Sequence, residues 1–115
     1  MAGPASTTHF RNLSTTGLNV TNGGAEVVAV LATNSTAATA YTQVFDAAAA
    51  DVTLGTTVPL FVIHVPGGTS AIEGSFFLTF YPPVLFSTRM SVFGTTTPEG
   101  NMAVGAGVFC QVWIN

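Results

Sequence analysis

Lysine is absent from this chain of 115 residues, and the only arginines are Arg11 and Arg89. The five acids bring the formal net charge to −3, and charged residues make up 6% of the total, against roughly 25% in ordinary soluble domains. Two arginines form no cluster able to neutralise phosphates, which argues against nucleic-acid binding. Nor do they make a basic patch for an anionic membrane. A single cysteine, Cys110, rules out an intrachain disulfide. No run reaches the about 18 apolar residues of a transmembrane helix. The opening stretch, MAGPASTTHFRNL, lacks the charged start and apolar core of a signal peptide.

The scarcity extends to the residue types that carry chemistry. His9 and His64 are the only histidines, and with Cys110 they do not supply about four ligands at short paired spacings, as a structural metal site requires. His64 falls mid-strand between Ile63 and Val65, a place for a partly buried or interface histidine. Cys110 alternates in step with Val108 and Val112 and reads as a small core hydrophobe. Asp46 and Asp51 flank an alanine-rich loop. Calcium wants about six or more oxygen ligands, and alanines offer none, so both acids are expected to cap that loop. No nucleophile, base and orienting partner form a local motif. The expectation is therefore a non-enzyme with no catalytic, cofactor-binding or metal-binding residues.

Short apolar runs punctuated by turn residues fill the chain. A weak first strand is expected within His9–Val20, closed by Asn22-Gly23-Gly24, whose residues tolerate positive φ. Glu26–Ala32 is a β-branched apolar run of strand length. Thr33–Thr39 reads as a turn, and Ala40–Asp46 alternates as a strand. The loop of mostly small residues that follows has room for a single helical turn, and Pro59 introduces a further strand, Leu60–Val65, which Pro66-Gly67-Gly68 closes. Ala71–Tyr81 is a long strand ended by Pro82-Pro83, with Gly74 marking a bulge. Val84–Phe93 and Met102–Ile114 follow, separated by a polar loop over Gly94–Asn101. Strands at this spacing predict an all-β fold, a single antiparallel β-sandwich of jelly-roll or immunoglobulin-like topology. It is one domain over residues 11–115 behind a short N-terminal arm, residues 1–10, anchored by Phe10.

Alternation also sorts the aromatics. Phe77, Tyr81, Phe109 and Trp113 each lie on the strand face opposite the expected core face. Either both faces are buried within one domain, or these rings form an exposed patch that a monomer rarely tolerates. Aromatics in a setting poor in charge are what the centres of subunit interfaces prefer. Phe10, Phe77, Tyr81, Phe109 and Trp113 are accordingly the candidate subunit or capsid contacts.

The pattern from Tyr41 to Thr69 carries a resemblance. An aromatic strand ends in Asp (QVFD, Gln43–Asp46), an alanine-rich turn follows, then GTTVP (Gly55–Pro59), an apolar strand, and VPGGT (Val65–Thr69). Downstream come VLFSTRMSVFGT (Val84–Thr95) and a final Gly/Ala/Val strand. Over roughly Ala40–Asn115 the chain resembles small β-sandwich virion proteins of tailed bacteriophages, used as capsid decoration (cement) subunits or as parts of tails and fibres. The resemblance implies a structural protein on the virion capsid surface, made in the bacterial cytoplasm. It would form a homo-oligomer, expected as a trimer on local threefold axes, and bind the major capsid protein without nucleic acid or membrane. It carries over no catalytic or cofactor residue. The alternative is a tail fibre or spike module that recognises a host-surface glycan.

Overall fold

The structure, a computed structural model, describes residues 6–10, 13–68, 74–102, 104 and 107–115, with the backbone alone for 6–10. The chain forms β1 (Ser6–Phe10), β2 (Leu18–Asn19), β3 (Ala25–Asn34), β4 (Ala40–Asp46), β5 (Phe61–Val65), β6 (Gly74–Phe86), β7 (Met90–Thr95) and β8 (Val108–Ile114). Two antiparallel sheets pack face to face, sheet A in the order β1-β8-β3-β6 and sheet B in the order β2-β7-β4-β5. The pairs β1·β8, β2·β7, β3·β6 and β4·β5 are nested one inside the next. The chain is thus one long hairpin, rolled so that successive strand pairs fall in alternate sheets. That is jelly-roll topology, eight strands in two Greek keys, and it replaces the immunoglobulin-like alternative. The strand–loop–strand segment around β4 and β5 is the tip of the hairpin.

The core lies between the sheets and is built from one side of each strand. Val27, Val30 and Ala32 of β3 meet Val108, Cys110 and Val112 of β8 within sheet A. Val44 of β4, Ile63 and Val65 of β5, and Met90 and Val92 of β7 close it from sheet B. Burying a branched aliphatic of this kind is worth about 1.5–3 kcal/mol each. Cys110 is buried among them, and loss of solvent pushes its thiol pKa up to about 12, as expected for a core hydrophobe.

Sheet B is covered on its other side as well. Gln43, Phe45, Phe93 and Thr95 alternate with the core residues, so they point away from the core, yet all are buried. Phe45 and Phe93 meet edge to face at 5.4 Å. The Gln43 Nε2 donates to Thr95 Oγ1 at 2.8 Å and to the Gly100 carbonyl at 3.1 Å, while Thr95 Oγ1 donates to the Thr97 carbonyl at 2.7 Å. The loop over 96–102 is thereby tied down across the sheet. Gly17 lies so close to the Phe93 ring that a Cβ there would overlap its carbon atoms, so only glycine lets the 14–17 segment cover that ring.

The turn from β3 to β4 holds the two sheets together at one end. Asn34 is fully buried and uses its whole amide. Its Nδ2 donates to the carbonyls of Ala38 (2.8 Å) and Val65 (3.3 Å). Its Oδ1 accepts from the Thr36 N–H (2.9 Å) and hydroxyl (2.6 Å). Around it, the Gly68 N–H donates to the Thr36 carbonyl and the Ser35 N–H to the carbonyl of Gly107, a residue at φ +116°. Strand β3, the end of β5 and the entry to β8 therefore converge on this one side chain.

Several sequence expectations need correction. Pro82-Pro83 does not end a strand: β6 runs through both, with a cis Tyr81–Pro82 bond. Because Val27 pairs with Val84 and Ala29 with Thr79, residues 80–83 oppose Val28 alone, and this bulge absorbs the prolines, which cannot donate to a ladder. The expected bulge at Gly74, by contrast, is a regular pair with Asn34. The turn lies instead at Ser87-Thr88, so β7 starts at Met90. The final strand starts at Val108, not Met102. Asp46 does not cap the alanine loop. Its register opposite Met90 sets the carboxylate beneath the β6–β7 turn, where it accepts from Ser87 N and Oγ, Thr88 N and Arg89 N. Partial burial pulls its pKa up, but those donors together outweigh burial and hold the carboxyl below its ordinary value. The loop itself makes one 3₁₀ turn at Ala49–Asp51, anchored by the Ala49 N–H on Asn19 Oδ1.

Candidate interaction surface

The two outer faces differ. That of sheet B is roofed by loops, whereas that of sheet A carries aromatics in the open. Trp113 of β8 and Phe77 of β6 point outward across β3 and meet edge to face at 5.6 Å, 84° between planes. Phe109 takes the register opposite Thr33, on the same face and four residues along β8 from Trp113. Both β8 aromatics are half-buried, and Phe77 is 55% exposed. Tyr81, in the bulge of β6, is 101% exposed and stands clear of the body. Three of the expected contacts, Phe77, Phe109 and Trp113, thus share one face, Phe77 and Trp113 in ring contact, with Tyr81 on the edge strand.

Phe10 is placed differently. The described part of the expected arm, Ser6–Phe10, is the edge strand β1, paired with β8 of the same chain. Phe10 sits opposite Cys110 and not opposite Phe109 or Trp113, and its side chain lies outside the described residues, as do residues 1–5.

Other exposed apolar residues were not singled out by alternation. Phe76 is 43% exposed although it stands opposite Ala32 on the core side, because β6 is the last strand of its sheet and the core ends there. Leu85, beyond the bulge, is 67% exposed. Val58 and Leu60 leave a second apolar spot on the loop that leads into β5. Alternation gives the face of a residue but not whether its strand is central or at an edge, and that depends on pairing.

Polar and titratable groups near this face are few. Glu26, opposite Leu85, accepts from Asn115 Nδ2 at 3.1 Å. His64, exposed rather than partly buried, stacks on Tyr41 at 5.1 Å on sheet B. Among the described residues no group of three His, Cys, Asp or Glu converges as a metal site would require. What the face offers is dispersion, aromatic contact and apolar area. Compared with known proteins, the chain matches no family model and no curated protein.

Proposed function

We propose that this chain is a structural virion protein, a capsid cement or decoration subunit that self-associates and binds the shell. The observation that carries the assembly part is the Phe77–Trp113 pair with Tyr81 and Leu85 around it. These residues leave an apolar surface in water, with the Glu26 carboxylate at its Leu85 end, on a chain with only 6% charged residues. A surface of this kind gains free energy only by being covered. The virion part is supported by the resemblance of Tyr41–Thr69 and Val84–Thr95 to small phage proteins. The jelly roll is common to viral shell domains and lectins, which agrees with the reading at the level of fold and no further.

In this reading the sheet A face and the hairpin tip have separate tasks. The face meets other copies, while the tip, where Val58 and Leu60 are exposed, grips the major capsid protein. Many modest contacts of this kind, repeated over the shell, sum to a large resistance against the pressure of packaged DNA. A reconstruction of purified particles tests the proposal. Density for this chain in many copies between capsomers is expected, and Leu60→Asp should release it from particles. A handful of copies at the tail, with a positive glycan array, would replace this reading by that of a host-recognition module.

A further inference from the structure

Among the described residues, β6 is the longest edge strand of the sandwich and lacks the usual protection. The other edge strands are short: β1 and β5 have five residues each and β2 has two. β6 has thirteen and contains no charged residue. Among the described residues, none outside β3 forms a ladder with it or sends it a backbone hydrogen bond. Proteins normally blunt such an edge with a lysine, an inward charge or a covering loop, because a free row of N–H and C=O groups recruits another strand. Prolines and a bulge blunt the second half of β6, at residues 80–83. The first half, Gly74–Thr79, keeps regular register with β3 and has no such device.

We infer that β6 is a self-association edge, pairing antiparallel with β6 of a second copy across a two-fold axis. Sheet A then continues into an eight-stranded sheet. Three observations select a second copy as the occupant. A strand without charge meets no repulsion from its own kind. Among the described residues, no other edge strand matches its length. Apolar side chains also stand at the axis: Phe76 and Phe77 are 43% and 55% exposed. At about 200 Å² for a whole aromatic, these two rings supply on the order of 200 Å² per copy. A stable interface takes about 800 Å² per partner, and the peptide edge and the neighbouring Trp113 supply further surface.

The symmetry fixes the faces. A two-fold perpendicular to the sheet pairs outer face with outer face, so an axis at Phe77 sets it against Phe77 of the second copy. Ser75 then stands opposite Thr79, and Phe76 stands on the row next to the axis, on the core side. Since Phe77 already packs on Trp113, two rings from each copy make one aromatic cluster. This contact is isologous, which gives a dimer in place of the trimer expected from shell geometry. It stands whether or not the chain is a shell protein, so the particle experiment and this one fail independently.

Sedimentation equilibrium of the full chain tests it, from about 1 to about 200 µM. The wild type is expected to be a dimer in that range. Phe77→Lys places like charges across the axis and is expected to raise the dissociation constant at least about tenfold. Met102→Lys, exposed on the loop that roofs sheet B, should leave it unchanged. Should Phe77→Lys fail to fold, Phe77→Cys gives the second readout. Paired strands hold facing Cα atoms about 4.5–5.5 Å apart, within disulfide reach, so mild oxidation should yield a covalent dimer, with Cys110 buried and silent. A monomer throughout the range overturns the inference. So does a trimer, or a dimer that neither weakens on Phe77→Lys nor cross-links through Phe77→Cys.

Discussion

Replacing Asn34 by alanine removes a side chain that is 0% exposed and makes four hydrogen bonds. Two backbone groups lose their partner, the Thr36 N–H and the Val65 carbonyl, while the Ala38 carbonyl keeps the Thr36 hydroxyl. A buried group left unpaired costs about 1–3 kcal/mol. The Val65 carbonyl, which lies deepest, bears the full penalty, while water recovers part of the loss at Thr36 near the rim. The expected cost is about 3 kcal/mol. With about 2.1 cal/mol/K of unfolding entropy per residue, a chain of this length should melt about 12 °C lower. Asn34→Asp sharpens the test, because it keeps the acceptor toward Thr36 but turns an oxygen toward two carbonyls. Those carbonyls and burial raise the folded-state pKa of that aspartate above its unfolded value. Its penalty should therefore be small near pH 4 and grow as pH rises toward 7. Calorimetry or denaturant titration at both pH values reads the effect. An Asn34→Ala cost below about 1 kcal/mol, or an Asn34→Asp cost independent of pH, would refute the reasoning that this amide is a fully satisfied hub.

Thr42 faces the core with a buried hydroxyl that has no hydrogen-bond partner, so the isosteric Thr42→Val should stabilise by about 1 kcal/mol in urea unfolding. A loss of stability there would mean that the hydroxyl is engaged. Asp46→Asn leaves too few acceptor lone pairs for the four donors of the β6–β7 turn and should cost about 1–2 kcal/mol at neutral pH. Because the folded pKa of Asp46 is depressed, the stability it adds is present above the unfolded value of about 3.9 and lost as pH falls through the folded one. The gap between wild type and Asp46→Asn should be constant above about pH 5 and close below about pH 4. Cys110, buried with its thiol pKa raised to about 12, should resist a thiol reagent in the native protein and react only as fast as the chain unfolds. Rapid labelling of the folded state would contradict its placement.

The fold class could be read from β-branched runs and turn residues, because sandwich strands announce themselves by alternation. Cys110 and its neighbours on β8 fell on the core side for the same reason. Elements that depend on partners distant in sequence could not be read. Pro82-Pro83 looks like a stop sign locally, and only the pairing of Val27 with Val84 and Ala29 with Thr79 shows a strand passing through it. Gln43, Phe45 and Phe93 gave no sign of being buried, since the loops that roof them come from other parts of the chain. For the interaction surface, alternation put Phe77, Phe109 and Trp113 on one face. It missed Phe76 and Leu85, whose exposure follows from β6 lying at the edge.

The nesting of strand pairs also orders the search that folding must make. β4 and β5 close a short loop, with Val44 opposite Phe61, whereas β1 and β8 join Phe10 to Cys110 across most of the chain. Closing the longer loop from an unstructured chain costs about 1.5 kcal/mol more, so each inner pair that forms shortens the loop the next must close. Zipping from the tip outward is the cheapest route, and its last step is the docking of β1. A chain built this way has high contact order and folds in the slow range of small domains. During that wait its uncharged strands are open to one another, and dilute conditions should favour recovery of the native fold.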